Sequence, residues 1–313
     1  MLPPAFTLPF HPLNLKRRYG LIFHIRQGGR EQKLHHEVEV ACTSRTPSGE
    51  FRFLVDKKQV YINNMAPSSL LDVMADRCGK VLYPLMVLVN AEGRFKGIEN
   101  GDVVRRRWQD ARPELAQYYT GKIAEDILAG MDAAVASDRY LADVLSRDWL
   151  FALLFAPIYH PYERNEALVD IQLPMIPYRQ PLLYTLQLKA QPELTRGGLI
   201  QLEANGVCTD KRSLEDAVKG SPIPLLLPAG SPLPLQPQGL VTLSYKVYPH
   251  NGTLFSVTGT CSLQLPDGVE KIVDIELYQL GERDPIPVAG PTPSVILEAA
   301  PVVKKKSWYS FLK

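Results

Sequence analysis

Four cysteines, Cys42, Cys78, Cys208 and Cys261, are all that this 313-residue sequence contains, and no two lie close together. There is no CxxC and no ligand spacing of a zinc site, so neither a metal motif nor a disulfide framework is written into the chain. Four buried, reduced thiols are expected. An excess of one charge is also missing. The net charge of +2 leaves no electrostatic footprint for a polyanion, and nucleic acid is not an expected partner. Long apolar runs are absent too, since the longest, Trp149 to Ile158, is too short to span a bilayer. The first residues, Met-Leu-Pro-Pro-Ala-Phe-Thr-Leu-Pro, carry no basic stretch ahead of an apolar one, and their three prolines would break a signal-peptide core. A cytoplasmic protein is therefore expected. Finally, the sequence has no GxGxxG, GxxxxGK[ST], GxSxG or HExxH. No catalytic residue, no metal ligand and no cofactor is assigned, and an enzyme is not expected.

What is present is enough apolar residue to build a core, 45% hydrophobic against 22% charged, and an unusual 27 prolines. The prolines gather at the N-terminus, at 157–192, at 222–237 and at 285–301, where they mark connections, because proline cannot donate to a helix or sheet ladder. Between them the hydrophobic period changes twice. Tyr19, Leu21, Phe23 and Ile25 alternate with polar residues, as do Leu34, His36, Val38 and Val40, and then Phe51, Phe53 and Val55, with Val60 and Ile62 following. Gly28-Gly29 and Pro47-Ser48-Gly49 separate these runs, which is the pattern of an antiparallel meander with one wet face. A short helix follows, with Leu70, Leu71, Val73 and Met74 on one side and Gly79 as its stop. The apolar stretch Leu82–Val89 reads as a strand, and Arg94–Ile98 as its partner.

From 101 to 157 the period becomes 3.6. Leu115, Ile123, Ile127 and Met131 predict a helix over 113–131 that buries all four. Ser137 or Asp138 caps a second helix carrying Leu141, Val144 and Leu145, and Asp148–Phe155 reads as a buried third, ended by Pro157. Strands return after 166 with Leu182, Tyr184, Leu186 and Leu188, then with three strong runs at 241–247, 255–263 and 273–277. Asn251-Gly252 and Pro266-Asp267-Gly268 join these last three as hairpins. The fold class is α+β, with antiparallel meander halves at about 15–100 and 166–280 around a central helical segment at about 101–157. The chain divides into a Pro-rich arm at 1–15, one domain at 16–281, a Pro-rich linker at 282–302 and a tail at 303–313.

The order of long meander, helices and long meander over residues 15–280 resembles the half-barrel lipoprotein carriers of the LolA/LppX-like class. The resemblance implies a curved antiparallel sheet wrapped around helices and an apolar cavity that holds lipid. It assigns no residue a role.

Individual side chains offer little chemistry. His35 and His36 are adjacent in a strand and so point to opposite faces, which keeps them from sharing a metal. His160 can pair with Asp148 or Glu163, but no nucleophile stands near it in sequence. Arg105, Arg106 and Arg107 form the densest basic cluster inside the fold. They read either as a solvated helix face with Trp108 turned inward or as an anion or partner patch near a helix start. The tail is the most informative segment. Lys304, Lys305 and Lys306 are followed by Trp308, Tyr309 and Phe311, and aromatics beyond a linker are expected to bury against something else. They are the expected partner-binding residues, with a protein as the first candidate and a membrane surface, approached through the lysines, as the second.

The reading that follows is a non-enzymatic interaction or scaffold protein, a component or adaptor of a larger assembly, docking partners through its termini. The alternative is a carrier of a lipid or other apolar ligand in a half-barrel cavity. A continuous cavity between sheet and helices would favour the carrier, and a filled core with docked termini the scaffold.

Overall fold

The structure, a computed structural model, describes residues 2–3, 5–224 and 235–281; the expected linker and tail lie outside these. The first alternating runs become β2 (Lys16–Gln27), β3 (Arg30–Arg45) and β4 (Phe51–Ile62), a meander of long strands. Two short strands, β5 (Leu85–Val89) and β6 (Phe95–Ile98), continue it beyond α1 (Leu70–Leu82). The second half holds β7 (Pro161–Glu163), β8 (Glu166–Leu173), β9 (Leu182–Ala190), β10 (Ile200–Cys208), β11 (Leu240–Val247), β12 (Leu254–Gln264) and β13 (Glu270–Leu280).

The expected halves are one sheet. β13 pairs antiparallel with β2 from Lys271 opposite Gln27 to Leu280 opposite Arg18. With β1 (Ala5–Thr7) beside β7, the order is β1-β7-β8-β9-β10-β11-β12-β13-β2-β3-β4-β5-β6, a sheet of 13 strands. The fold is α+β with a large antiparallel sheet, as the alternation predicts. Its inner face carries the residues that alternate inward, among them Leu21, Phe23, Val40, Val55, Leu186, Leu243, Tyr245 and Ile275, all buried. Its outer face carries charge and hydroxyls: Arg26 pairs with Asp274 at 2.7 Å, and Asp274 also accepts from Thr260 Oγ1 at 2.7 Å. The helices α2 (Gly101–Tyr118), α3 (Lys122–Ala134), α4 (Asp138–Ser146) and α5 (Trp149–Leu154) lie between the halves in sequence. α4 packs on β6 and α5 on β8, so together they bridge the two ends of the sheet. α6 (Leu214–Lys219) follows β10.

Several expectations need correction. The helix expected over 113–131 is two helices, broken at Gly121, whose φ of 98° ends one helical phase and starts another. Leu115 is buried as expected. After the break, however, Ala124 and Leu128 turn inward while Ile123 is 60% exposed and Ile127 and Met131 are only partly buried. Gly79 does not stop α1, which runs on to Leu82 because Met74 and Cys78 hold its buried face in register. Leu70 and Leu71, expected on that face, lie outside it and are exposed. The helix at 149 ends at Leu154, before Pro157.

The N-terminal stretch is not a free arm that docks partners. Phe6 and Leu8 are buried and Phe6 stacks on Tyr162 at 4.9 Å, so the stretch is part of the core. Leu2 N donates to Pro192 O and His11 N to Asn251 O, which strap it to the β9–β10 connection and the β11–β12 hairpin. Gly252 in that hairpin has φ +69°, and a Cβ there would meet Pro9 O at 1.7 Å. Glycine is required both for the turn and for the passage of the strap.

Candidate binding groove

The clearest unfilled space borders β4. Strands β3 and β4 pair along nearly their whole length, from Arg45 opposite Phe51 to Leu34 opposite Ile62. On its other side β4 meets β5 only from Phe51 to Val55. Beyond Val55 no strand among the described residues pairs with β4 on that side, and the space there is bordered by α1, which starts after the turn at Asn63-Asn64 and packs on α2 and α3. Ser69 caps α1 by accepting from Asp72 N at 3.1 Å, and its hydroxyl donates back to Asp72 Oδ2 at 2.6 Å. This fixes where the helix begins.

α1 turns Met74 and Cys78 to the core. Toward β4 it presents Asp72, Ala75, Asp76, Gly79 and Lys80, spaced at three and four residues and therefore on one face. Two of these are the smallest residues available, and a Cβ on Gly79 would meet nothing within 4 Å. The result is a groove of about 190 Å³ between α1 and β4, lined from the strand side by Lys57, Lys58, Val60 and Ile62, with Pro67 at one end and Tyr83 at the other. Met65, Leu70 and Leu71, 64%, 60% and 46% exposed, stand on the turn and first residues of α1. The groove thus has an aliphatic floor and a charged rim.

The rim charges are partly paired. Lys58 Nζ lies 2.6 Å from Asp56 and 3.2 Å from Glu39, which raises its pKa. Lys80 Nζ lies 2.6 Å from Asp76. Lys57 has no ion pair among the described residues; burial, with the charges of Lys57 and His35 as lesser causes, holds His36 well below the usual histidine range. Tyr83 is buried at the end of the groove, and burial, with the carboxylates of Asp148 and Asp56, pushes its hydroxyl well above the usual tyrosine range.

The arginine run does not converge on one ligand. Arg105 pairs with Asp138 at 2.5 Å and Arg106 with Asp102 at 2.7 Å. Arg107 donates to the carbonyls of Tyr83 and Pro84 and so pins the turn that closes the groove. Trp108 is turned inward, as expected, and its Nε1 donates to Asp132 at 2.8 Å. His36 faces the core, and His35 stacks on Tyr61 at 5.6 Å. His160 forms no ion pair with Asp148 or Glu163 among the described residues, and burial, with Arg94 nearby, lowers its pKa. Asp148 instead caps α5, accepting from Leu150 N at 2.7 Å. The four cysteines are free, Cys208 half-buried and the others buried; burial pushes the Cys42 thiol to about 11 and that of Cys261 to about 12, which leaves both weak nucleophiles. Lys304, Lys305, Lys306, Trp308, Tyr309 and Phe311 lie outside the described residues.

A second hollow, under the N-terminal strap between Phe10, Tyr19, Phe53 and Tyr159, measures only about 20 Å³, room for about one water. Sequence reasoning missed Lys57, Lys58, Ala75 and Gly79 as site residues. The available signal was the length of β4, 12 residues against 5 in β5, together with two leucines at the start of a helix that buries neither.

Comparison with known proteins adds little at this point. No family model matches the chain, and no curated protein matches it. Among solved structures it is similar to lipovitellin, from a study of lipid–protein interactions in that protein, with a TM-score of 0.45 and 11% identity. The match covers 94% of this chain and 27% of lipovitellin, so the chain spans about a quarter of that protein. A likeness at this level says nothing about a ligand. Among the described residues, no helix is long and apolar enough to cross a membrane.

Proposed function

We propose that this chain is a non-catalytic binding protein whose recognition site is the groove between β4 and α1, and that it takes there the apolar part of an amphipathic ligand. The observation that carries this reading is the small-residue face of α1 set against Val60 and Ile62. A helix that packs normally would fill that space with larger side chains. At about 190 Å³ the groove is below the usual 300–1,000 Å³ of a site enclosing a whole drug-sized ligand. It therefore suits one alkyl chain or a short stretch of polymer, with the polar end among Lys57, Lys58 and Lys80. This is the apolar-ligand alternative moved from the inner face of the sheet to its side.

The test is a fluorescence titration with 1-anilinonaphthalene-8-sulfonate, an aromatic anion. Wild type and Gly130→Phe, a change on the exposed face of α3 where a Cβ also meets nothing, are expected to bind alike. Gly79→Phe is expected to lose at least tenfold in affinity. Equal binding by all three would overturn the reading.

The scaffold role through the tail stays a proposal. Lys304, Lys305, Lys306, Trp308, Tyr309 and Phe311 would dock a protein partner or a membrane surface. Of the arginine run, Arg106, with 72% of its side chain exposed, is the member proposed to assist.

A further inference from the structure

The groove is polarised along its length. After Ile62 the chain turns into α1, and α1 brings it back to Leu85, which lies opposite Val55. β4 and α1 therefore run past the groove in opposite directions. Ile62, Pro67 and the first turn of α1 form one end, and Met65, Leu70 and Leu71 stand exposed beside it. Lys57, Lys58, Lys80 and buried Tyr83 form the other. From Lys57 to Ile62 the strand covers roughly 17 Å at 3.3 Å per residue.

Charge is matched unevenly at the basic end. Asp56 and Glu39 face Lys58, and Asp76 faces Lys80. Asp148, near Tyr83, accepts from Leu150 N. Lys57, which lines the groove, has no ion pair among the described residues. Arg107 donates to the carbonyls of Tyr83 and Pro84 and has no carboxylate partner among them either, and its Nε is buried without a hydrogen bond. Its bonds to those carbonyls also offset the negative pole at the end of α1, which would otherwise oppose an anion. Asp72 lies toward the apolar end, where it would repel an anionic head. One negative charge beside Lys57 completes the pattern. An amine there would meet like charge, and an alcohol would leave both cations unmatched. The space, about 190 Å³, suits one chain and not two.

We infer that the ligand of this groove is a single-chain carboxylate, a free fatty acid, with its head at Lys57 and its tail leading past Pro67 onto Met65, Leu70 and Leu71. This rests on the groove being the binding site. The Lys57 ammonium donates to the carboxylate, and Val60, Ile62, Ala75 and Gly79 carry the chain. The three exposed apolar side chains then have a use: they cover the part of a longer chain that outruns the groove, and grouped apolar residues at the surface mark such contacts.

Calorimetric titration of the full chain with dodecanoate, dodecan-1-ol and dodecylammonium, each below its micelle-forming concentration, tests this. A charge-assisted hydrogen bond predicts that wild type binds dodecanoate about tenfold more tightly than the alcohol, with the amine weaker still. Lys57→Gln is expected to lose about that factor for dodecanoate and so bring acid and alcohol close together. Tetradecanoate is expected to bind wild type more tightly than dodecanoate, and Leu70→Ser/Leu71→Ser, a change at two exposed positions, to remove that gain. Dodecylammonium binding as well as dodecanoate would overturn the inference, and so would a Lys57→Gln variant that binds dodecanoate like wild type. A chain-length gain untouched by the two serines would overturn the direction of the chain. Failure of wild type to bind dodecanoate, together with loss of 1-anilinonaphthalene-8-sulfonate binding in Gly79→Phe, would sink the fatty acid and leave the binding reading intact. No effect of Gly79→Phe on either ligand would sink the binding reading and the inference with it.

Discussion

Replacing Asp210 is the most informative perturbation of the fold itself. Asp210 and Arg212 are a buried ion pair, with side chains 8% and 6% exposed. The carboxylate accepts from Arg212 Nε at 2.9 Å, Arg212 Nη2 at 2.7 Å, Arg212 N at 3.0 Å and Leu183 N at 3.0 Å. The guanidinium also donates to Pro181 O at 2.7 Å and Ser221 O at 3.2 Å. The pair thus ties β9, the end of β10 and the chain after α6 together. Asp210→Ala leaves the guanidinium buried without its counter-charge, which costs about 3–5 kcal/mol, and Asp210→Ala/Arg212→Met should recover most of it. By the usual size scaling the single variant should melt about 10 °C lower. Burial pushes the Asp210 carboxyl up, but the bonds from Arg212 and Leu183 outweigh this and hold it below the usual range. Its stabilisation is therefore present above the ordinary aspartate pKa of about 3.9 and is lost as pH falls below it. Denaturant melts of wild type, the two single variants and the double variant measure the coupling. A single variant within 1 kcal/mol of wild type, or a double variant no better than Asp210→Ala, would refute the reasoning.

Other outcomes follow from burial. On α3, Leu128→Asp should cost several kcal/mol because it buries an unpaired charge, whereas Ile123→Asp should be nearly neutral; the reverse order in thermal melts would mean the helix is turned the other way. Buried His36 and half-buried His160 both titrate below the usual histidine range. The unfolded chain therefore binds their protons first, and stability should fall as pH drops below about 6.5. His36→Phe should flatten that slope between pH 7 and 5, and an unchanged slope would speak against a neutral buried imidazole. Deleting residues 303–313 should leave the melting temperature unchanged and abolish any pull-down partner or liposome binding, while a loss of stability alone would make the tail part of the fold.

Much of the fold was legible in the sequence because its cause is local. Tyr19, Leu21 and Phe23 alternate because a strand has two faces, and the hairpin glycines, Gly252 and Gly268, sit at φ of 69° and 77° where other residues are strained. Ser137 and Asp148 cap the helices that follow them. The helix phase after Gly121 was not legible, since one left-handed residue resets the register and no pattern upstream carries across it. The junction of β13 with β2 was not legible either, because it joins segments some 250 residues apart through backbone bonds that any side chain can make. The groove depends on a mismatch of that long-range kind: β5 is too short to cover β4, and α1 is too small-sided to fill the gap. Each part reads as an ordinary strand or helix, and only their apposition makes a site.

The most direct measurement is an amide chemical-shift map of the full chain titrated with 1-anilinonaphthalene-8-sulfonate. The binding reading predicts that the largest shifts fall on Lys57, Val60, Ile62, Ala75 and Gly79 and that they vanish in Gly79→Phe. Shifts centred instead on the inner face of the sheet, around Tyr184, Leu243 and Tyr245, would contradict it.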